Sequence, residues 1–120
     1  MDSCVFCKIV AGDEFARMVT ADSMSIAFHP LNPVTKGHIL VVPNKHVRDF
    51  TEDPEVSAGV MAHAARLADF LGGDCNLITS KGPLATQTVP HLHLHLIPRR
   101  PGDGLALPWT GQGVSRDVAS

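Results

Sequence analysis

His91-Leu92-His93-Leu94-His95-Leu96 is the stretch on which the reading of this chain turns. Its two-residue alternation is the period of a β-strand, so three imidazoles share one face and three leucines the other. The leucine face reads as the buried side of a sheet. The histidine face calls for another reason, because buried imidazole nitrogens need partners and their charge changes near neutral pH. An expression tag is excluded by the interleaved leucines and by the continuation Ile97-Pro98-Arg99-Arg100. A solvated strand face tolerates one or two histidines rather than three in register. One metal ion held by all three is opposed by geometry. At about 3.3 Å per residue, His91 and His95 stand roughly 13 Å apart, too far to share an ion with bonds of about 2.1 Å. At most two serve one metal, and the third has a separate task.

Outward from this strand the chain reads as a single domain over 1–120, of class α+β, with an antiparallel sheet of about five strands. One long helix and a short N-terminal helix complete it. The short helix covers Phe6 to Val10 and stops at Gly12. Strands follow at Arg17–Thr20 and Ser23–Phe28 around Ala21-Asp22, and then at His38–Pro43 after a proline-stiffened bend. Asp53 as N-cap, Pro54 in the first turn and Gly72-Gly73 as stop delimit a helix from Pro54 to Leu71. Its apolar stripe is Val56, Val60, Ala64, Leu67 and Leu71, which leaves His63 and Arg66 for solvent. A fourth strand, Asn76–Ser80, encloses Cys75 nearby as a small buried residue.

Composition narrows the function classes. At 120 residues, 44% hydrophobic, 18% charged and with a net charge of −2, the chain has no basic face for nucleic acid. No apolar run approaches the roughly 20 residues of a membrane span, and Met1-Asp2-Ser3-Cys4 is no signal peptide, so a cytoplasmic protein is expected. Three cysteines do not make a disulfide framework.

The histidine row suits phosphorus chemistry. A neutral imidazole whose Nδ1–H is held by a carbonyl offers Nε2 as a nucleophile and needs no base to remove a proton first. Flanking donors then hold phosphate oxygens as charge builds. Gln87 and Thr88 precede the strand, His38 opens another one, and Gly82–Ala85 is small enough for backbone to approach a ligand. Cys4-x-x-Cys7 is a zinc half-site by spacing that needs two more ligands. A packed, metal-free pair is the competing reading, while a redox pair wants a thioredoxin-like βαβ context that is missing.

The segment Gln87-Thr88-Val89-Pro90-His91-Leu92-His93-Leu94-His95-Leu96-Ile97-Pro98-Arg99 resembles the signature of the histidine triad family of nucleotide hydrolases and transferases. Its entry and exit look like the Fhit-type branch. Cys4-Val5-Phe6-Cys7-Lys8-Ile9-Val10-Ala11-Gly12 looks like the start of bacterial and Hint-type members. Asn32-Pro33-Val34 and Gly37 to Val47 resemble the family's central strand and its approach. The likeness spans about residues 4 to 104, leaving a C-terminal tail, 105–120, with Trp109, read as packing against a partner subunit.

What the resemblance implies is specific. His93 is the nucleophile at the α-phosphorus and forms a nucleotidyl-histidine. His95 contacts the phosphate and helps the leaving group depart. His38 belongs to the network behind the triad, and Gln87 and Thr88 bind phosphate oxygens. The ligands completing the cysteine half-site are His46 and His91, for a structural zinc, with no cofactor required in catalysis. Dinucleoside polyphosphates and nucleoside phosphoramidates are the implied substrates, and a homodimer the implied assembly. Two positions depart from the pattern. Pro30 stands where members carry an acid or asparagine that holds the ribose hydroxyls, with His29 and Asn32 as the nearest polar replacements. Ser80 stands where Hint-type members carry asparagine, in the substrate site. The rival reading is a nucleotide-binding regulatory module with little turnover.

Overall fold

A computed structural model describes residues 4–109. In chain order it contains α1 (Val5–Ala11), β1 (Arg17–Ala21), β2 (Ser25–His29), β3 (Ile39–Pro43), α2 (Pro54–Leu71), β4 (Cys75–Ile78), a 3-10 turn (Pro83–Ala85) and β5 (Leu94–Pro98). The five strands form one sheet in the order β1-β2-β3-β5-β4, each pair antiparallel. The α+β expectation holds, with its one long and one short helix.

Both helix ends follow the sequence. Asp53 accepts from the amides of Glu55 and Val56, Pro54 opens α2, and Gly72 caps it. These groups satisfy amides and carbonyls that the first and last turns leave without helical partners. The sheet has a different cover on each face. Val56, Val60, Ala64 and Leu67 of α2 pack with Ala27, Ile39, Val41, Leu92, Leu94 and Leu96. On the other face Cys4 and Phe6 pack with Phe28, Leu40 and Val42. β3 is therefore buried on both sides, which explains its unbroken apolar run. In the β3–β5 ladder Val41 lies opposite Leu94 and Leu40 opposite His95. Leu94 and Leu96 of β5 thus face α2 and His95 the opposite side, while His91 and His93 of the preceding segment contact Phe6 of α1.

Several local expectations need correction. Hydrogen bonding places β5 at Leu94, not His91, because Leu92 N–H leaves the sheet ladder for Val47 O (2.8 Å). The alternation of buried faces continues through the pre-strand segment all the same. β2 starts at Ser25 rather than Ser23, since Asp22 Oδ1 accepts the amides of Met24 and Ser25 and makes the turn. β4 is Cys75–Ile78, and Cys75 is exposed at its start rather than buried. Leu71 is half exposed at the helix end, off the expected stripe. His63 is only 4% exposed instead of solvated. It is held by Ser25 Oγ (2.6 Å) and Thr20 Oγ1 (3.3 Å) from the β1–β2 hairpin. Periodicity along one helix does not show a polar partner contributed by a hairpin. Arg66 does reach solvent, in an ion pair with Asp22 (2.9 Å).

Candidate active site and metal centre

The geometry assigns a tautomer to each histidine of the triad and to His38. His93 Nδ1 lies 2.8 Å from His91 O. A carbonyl only accepts, so Nδ1 carries the proton and Nε2 keeps a lone pair. Thr79 Oγ1 donates to His93 O (2.8 Å) and anchors the same residue from the end of β4. The Phe6 ring meets the rings of His91 and His93 in T-shaped arrangements, with centroids 5.7 and 5.1 Å away.

A second chain of bonds governs His95. The Val34 amide donates to His38 Nδ1 (3.1 Å), so the His38 proton resides on Nε2. That N–H meets His95 Nδ1 at 3.0 Å. His95 Nδ1 is therefore an acceptor, and its own proton is on Nε2. His29 Nδ1 donates to His38 O (2.9 Å) and supports the same strand entry. Neighbouring rings of opposite character result: a lone pair on His93 and an N–H donor on His95, their centroids 5.1 Å apart.

Electrostatics keeps these rings neutral. Burial lowers the pKa of His93, countered in part by its bond to the His91 carbonyl. Burial, then the neighbouring His93 and His38, lowers His95 to about 4. His38 is lowered by burial and then by His29, and His91 chiefly by burial. A row of neutral imidazoles at neutral pH is a set of nucleophiles and donors rather than a cationic patch.

His91 has different work. Its Nε2–H donates to Pro43 O (3.0 Å), which leaves the Nδ1 lone pair facing Cys4 Sγ (3.4 Å) and Cys7 Sγ (3.5 Å). His46 Nδ1 lies 3.1 Å from both Cys7 Sγ and His91 Nδ1. The four ligand atoms all fall within 4.8 Å of one another. A tetrahedral zinc with two sulfur and two nitrogen ligands needs edges of about 3.3–3.8 Å, so the cluster fits with small adjustments. The Pro43 carbonyl also orients a ligating imidazole through its other nitrogen. Cys4 and Cys7 belong to the first turn of α1, Cys4 being its N-cap. The four residues are placed so that together they could hold a metal ion.

The remaining expected site residues are less uniform. Ser80 is half-buried, two residues beyond Ile78, the partner of His95 in the ladder. Thr88 and Asn32 are exposed on the loops leading into β5 and β3. Gln87 is engaged elsewhere: its Nε2 donates to Arg48 O and Val89 O, and its Oε1 accepts from Gly82 N–H. Trp109 is half exposed, and 110–120 lie outside the described residues. His29, named from the sequence as a polar replacement for Pro30, instead bonds the His38 carbonyl, and sequence reasoning missed Phe6, Thr79, the Val34 amide and the Pro43 carbonyl. Backbone groups carry no residue-type signal, so the last two were not legible.

A family model described as HIT domain matches residues 12–102. The chain belongs to the histidine triad (HIT) family. Among its HIT relatives, an uncharacterized HIT-like protein of Methanocaldococcus jannaschii is 40% identical over 106 residues, covering 84% of this chain and 82% of that protein. The adenosine 5'-monophosphoramidase of Schizosaccharomyces pombe is 33% identical over 116 residues, covering 94% and 87%. A zinc-bound histidine triad family protein of Mycobacterium smegmatis superposes with a TM-score of 0.74 at 38% identity, covering 88% and 81%. This HIT chain thus shares its fold with a relative that holds zinc.

Proposed function

We propose that this HIT protein hydrolyses or transfers a nucleoside monophosphate group through a covalent nucleotidyl-histidine on His93. The observation that carries the reading is the pair of opposed tautomers, a free Nε2 on His93 beside an Nε2–H on His95. His93 Nε2 attacks the α-phosphorus, and the bond from phosphorus to the leaving group breaks. The Nδ1–H stays on His93, and the resulting imidazolium rests its positive charge against the His91 carbonyl. His95 Nε2–H donates a hydrogen bond to a phosphate oxygen or to the departing atom. An amine leaving group that arrives protonated departs as neutral amine. Water then attacks phosphorus, His93 leaves as neutral imidazole, and the water's proton passes to solvent.

Nucleoside phosphoramidates and dinucleoside polyphosphates are the substrate classes, and the monophosphoramidase activity named for the fission-yeast relative supports the first. Ser80, Thr88 and Asn32 are the substrate-side donors, with His38 holding His95. Cys4, Cys7, His46 and His91 would hold a structural zinc that joins α1 to the triad strand and takes no part in the reaction. Three free cysteines suit a reducing, cytoplasmic setting. The open edge of β4 offers a place for the sheet to continue into a second copy, supporting a homodimer. A nucleotide-binding module without turnover is the rival, favoured by Pro30 at the ribose position.

The test is intact-protein mass spectrometry after brief mixing with adenosine phosphoramidate or diadenosine polyphosphate at neutral to alkaline pH. An adenylyl adduct mapping to His93, and absent in His93→Ala, is expected. Nucleotide binding without any adduct would establish the rival.

A further inference from the structure

Gln87 lies just before the triad, where a side-chain amide is well placed to donate to an anion. Its bonds direct it elsewhere. Nε2 has two hydrogens, one aimed at Arg48 O (2.6 Å) and the other at Val89 O (3.1 Å). Oε1 accepts from the Gly82 amide (2.8 Å). The opposite amide orientation would set oxygen against the Arg48 carbonyl, so the assignment of N and O is settled by chemistry. What the side chain still offers is an oxygen lone pair, which repels phosphate.

The partners of Gln87 are informative. Its backbone N–H also donates to Gly82 O (3.1 Å), so Gly82 and Gln87 close a six-residue loop by two bonds. Inside that loop Thr86 is held at φ +69°, the one non-glycine residue with positive φ among those described. Arg48 O is one residue beyond Val47 O, which accepts the Leu92 amide (2.8 Å). Two bonds therefore join segment 47–48 to segment 87–92. His46 of the metal cluster precedes the first segment, and His93 follows the second. Val89 O, which takes the other Gln87 hydrogen, also accepts His91 N–H (2.8 Å).

We infer that Gln87 is a positioning residue, a clasp that holds the 82–89 loop and the approach to His93 against the His46–Arg48 segment, and makes no contact with substrate phosphate. The inference rests on the reading of His93 as the nucleotide site and deepens it. Displacing a nucleophile by a fraction of an ångström affects attack far more than it affects ground-state binding.

Two experiments test it. In the wild-type protein, the Gln87 side-chain amide protons are followed by NMR, before and after addition of adenosine monophosphate. The expected result is exchange at least about tenfold slower than in free glutamine, already present without nucleotide. On addition of nucleotide, the His93 and His95 rings shift and the Gln87 amide stays nearly still. Unprotected amide protons in the free protein, or a Gln87 shift as large as that of His95, would overturn the clasp. Absence of any shift at His93 and His95 would instead count against the nucleotide reading, and the protection measured in the free protein stands apart from it.

The second experiment is Gln87→Met, which keeps length and neutrality but removes the three bonds. Its kcat is expected to fall about tenfold to a hundredfold, while the affinity for adenosine monophosphate stays within about threefold of wild type. A phosphate ligand would give the other pattern, with nucleotide affinity lost as steeply as kcat.

Discussion

Removing the metal should cost this protein stability far more than it costs chemistry. The cluster joins three places distant in sequence: Cys7 and His46 are 39 residues apart, and His46 and His91 are 45 apart. Treating each connection as a cross-link on the unfolded chain, loop closure of this length is worth about 4 kcal/mol at room temperature. That figure is a ceiling, because an unfolded chain retains some affinity for metal through its cysteines and histidines. Taking one loop at that ceiling, and about 3–5 °C per kcal/mol for a chain of this size, the melting temperature should fall by up to about 12–20 °C. The assay is calorimetry on metal-loaded protein of measured zinc content, repeated after chelation and on Cys7→Ser. Turnover at a temperature where the chelated protein is folded should persist, since His93 keeps its bond to the His91 carbonyl (2.8 Å). A shift below about 2 °C after complete metal removal would refute the cross-link argument. Loss of all turnover in a chelated but folded protein would refute the separation of His91 from the chemistry.

Three further outcomes follow from the two buried histidines and from Thr86. Burial holds the pKa of His93 below the ordinary histidine value, and that of His95 at about 4. The reactive neutral forms thus persist as pH falls past about 6.5, and the acid limb of kcat/KM should have its midpoint below that value; a midpoint at or above it would contradict the burial argument. The same shifts mean that the unfolded chain takes up protons first, so stability should decline from about pH 6.5 toward pH 4. Thr86 is held at φ +69°, a conformation costing a β-branched residue about 1–2 kcal/mol. Thr86→Gly relieves this against an added unfolded-state entropy of about 0.5–1 kcal/mol, so denaturant titration should show a net gain of about 0.5–1 kcal/mol; a loss would mean that the threonine side chain stabilises the loop.

Much of the molecule was legible along the chain because the signals are local. Two-residue alternation sorted the histidines and leucines of 91–96 onto opposite faces, though the strand itself begins only at Leu94, and the proline and N-cap at Pro54 and Asp53 delimited α2 to the residue. The Cys4-x-x-Cys7 half-site came from spacing and its completion by His46 and His91 from the family resemblance, and the structure brings the four ligand atoms together. The misreadings share a cause. His63 was assigned to solvent because helical periodicity says nothing of a hairpin that folds back with Ser25 and Thr20. For Gln87, expected at phosphate because its residue type offers a donor, the structure sets its hydrogens against the carbonyls of Arg48 and Val89, which is the basis of the clasp proposed above.

By itself the amino-acid sequence determined which residues exist to do chemistry and the periodicity that sorts them onto faces, because both depend on side-chain identity and on backbone repeat. Only the tertiary structure decided which imidazole nitrogen bears the proton. That choice belongs to the carbonyls of His91 and Pro43 and the amide of Val34, groups every residue carries and only folding brings within reach.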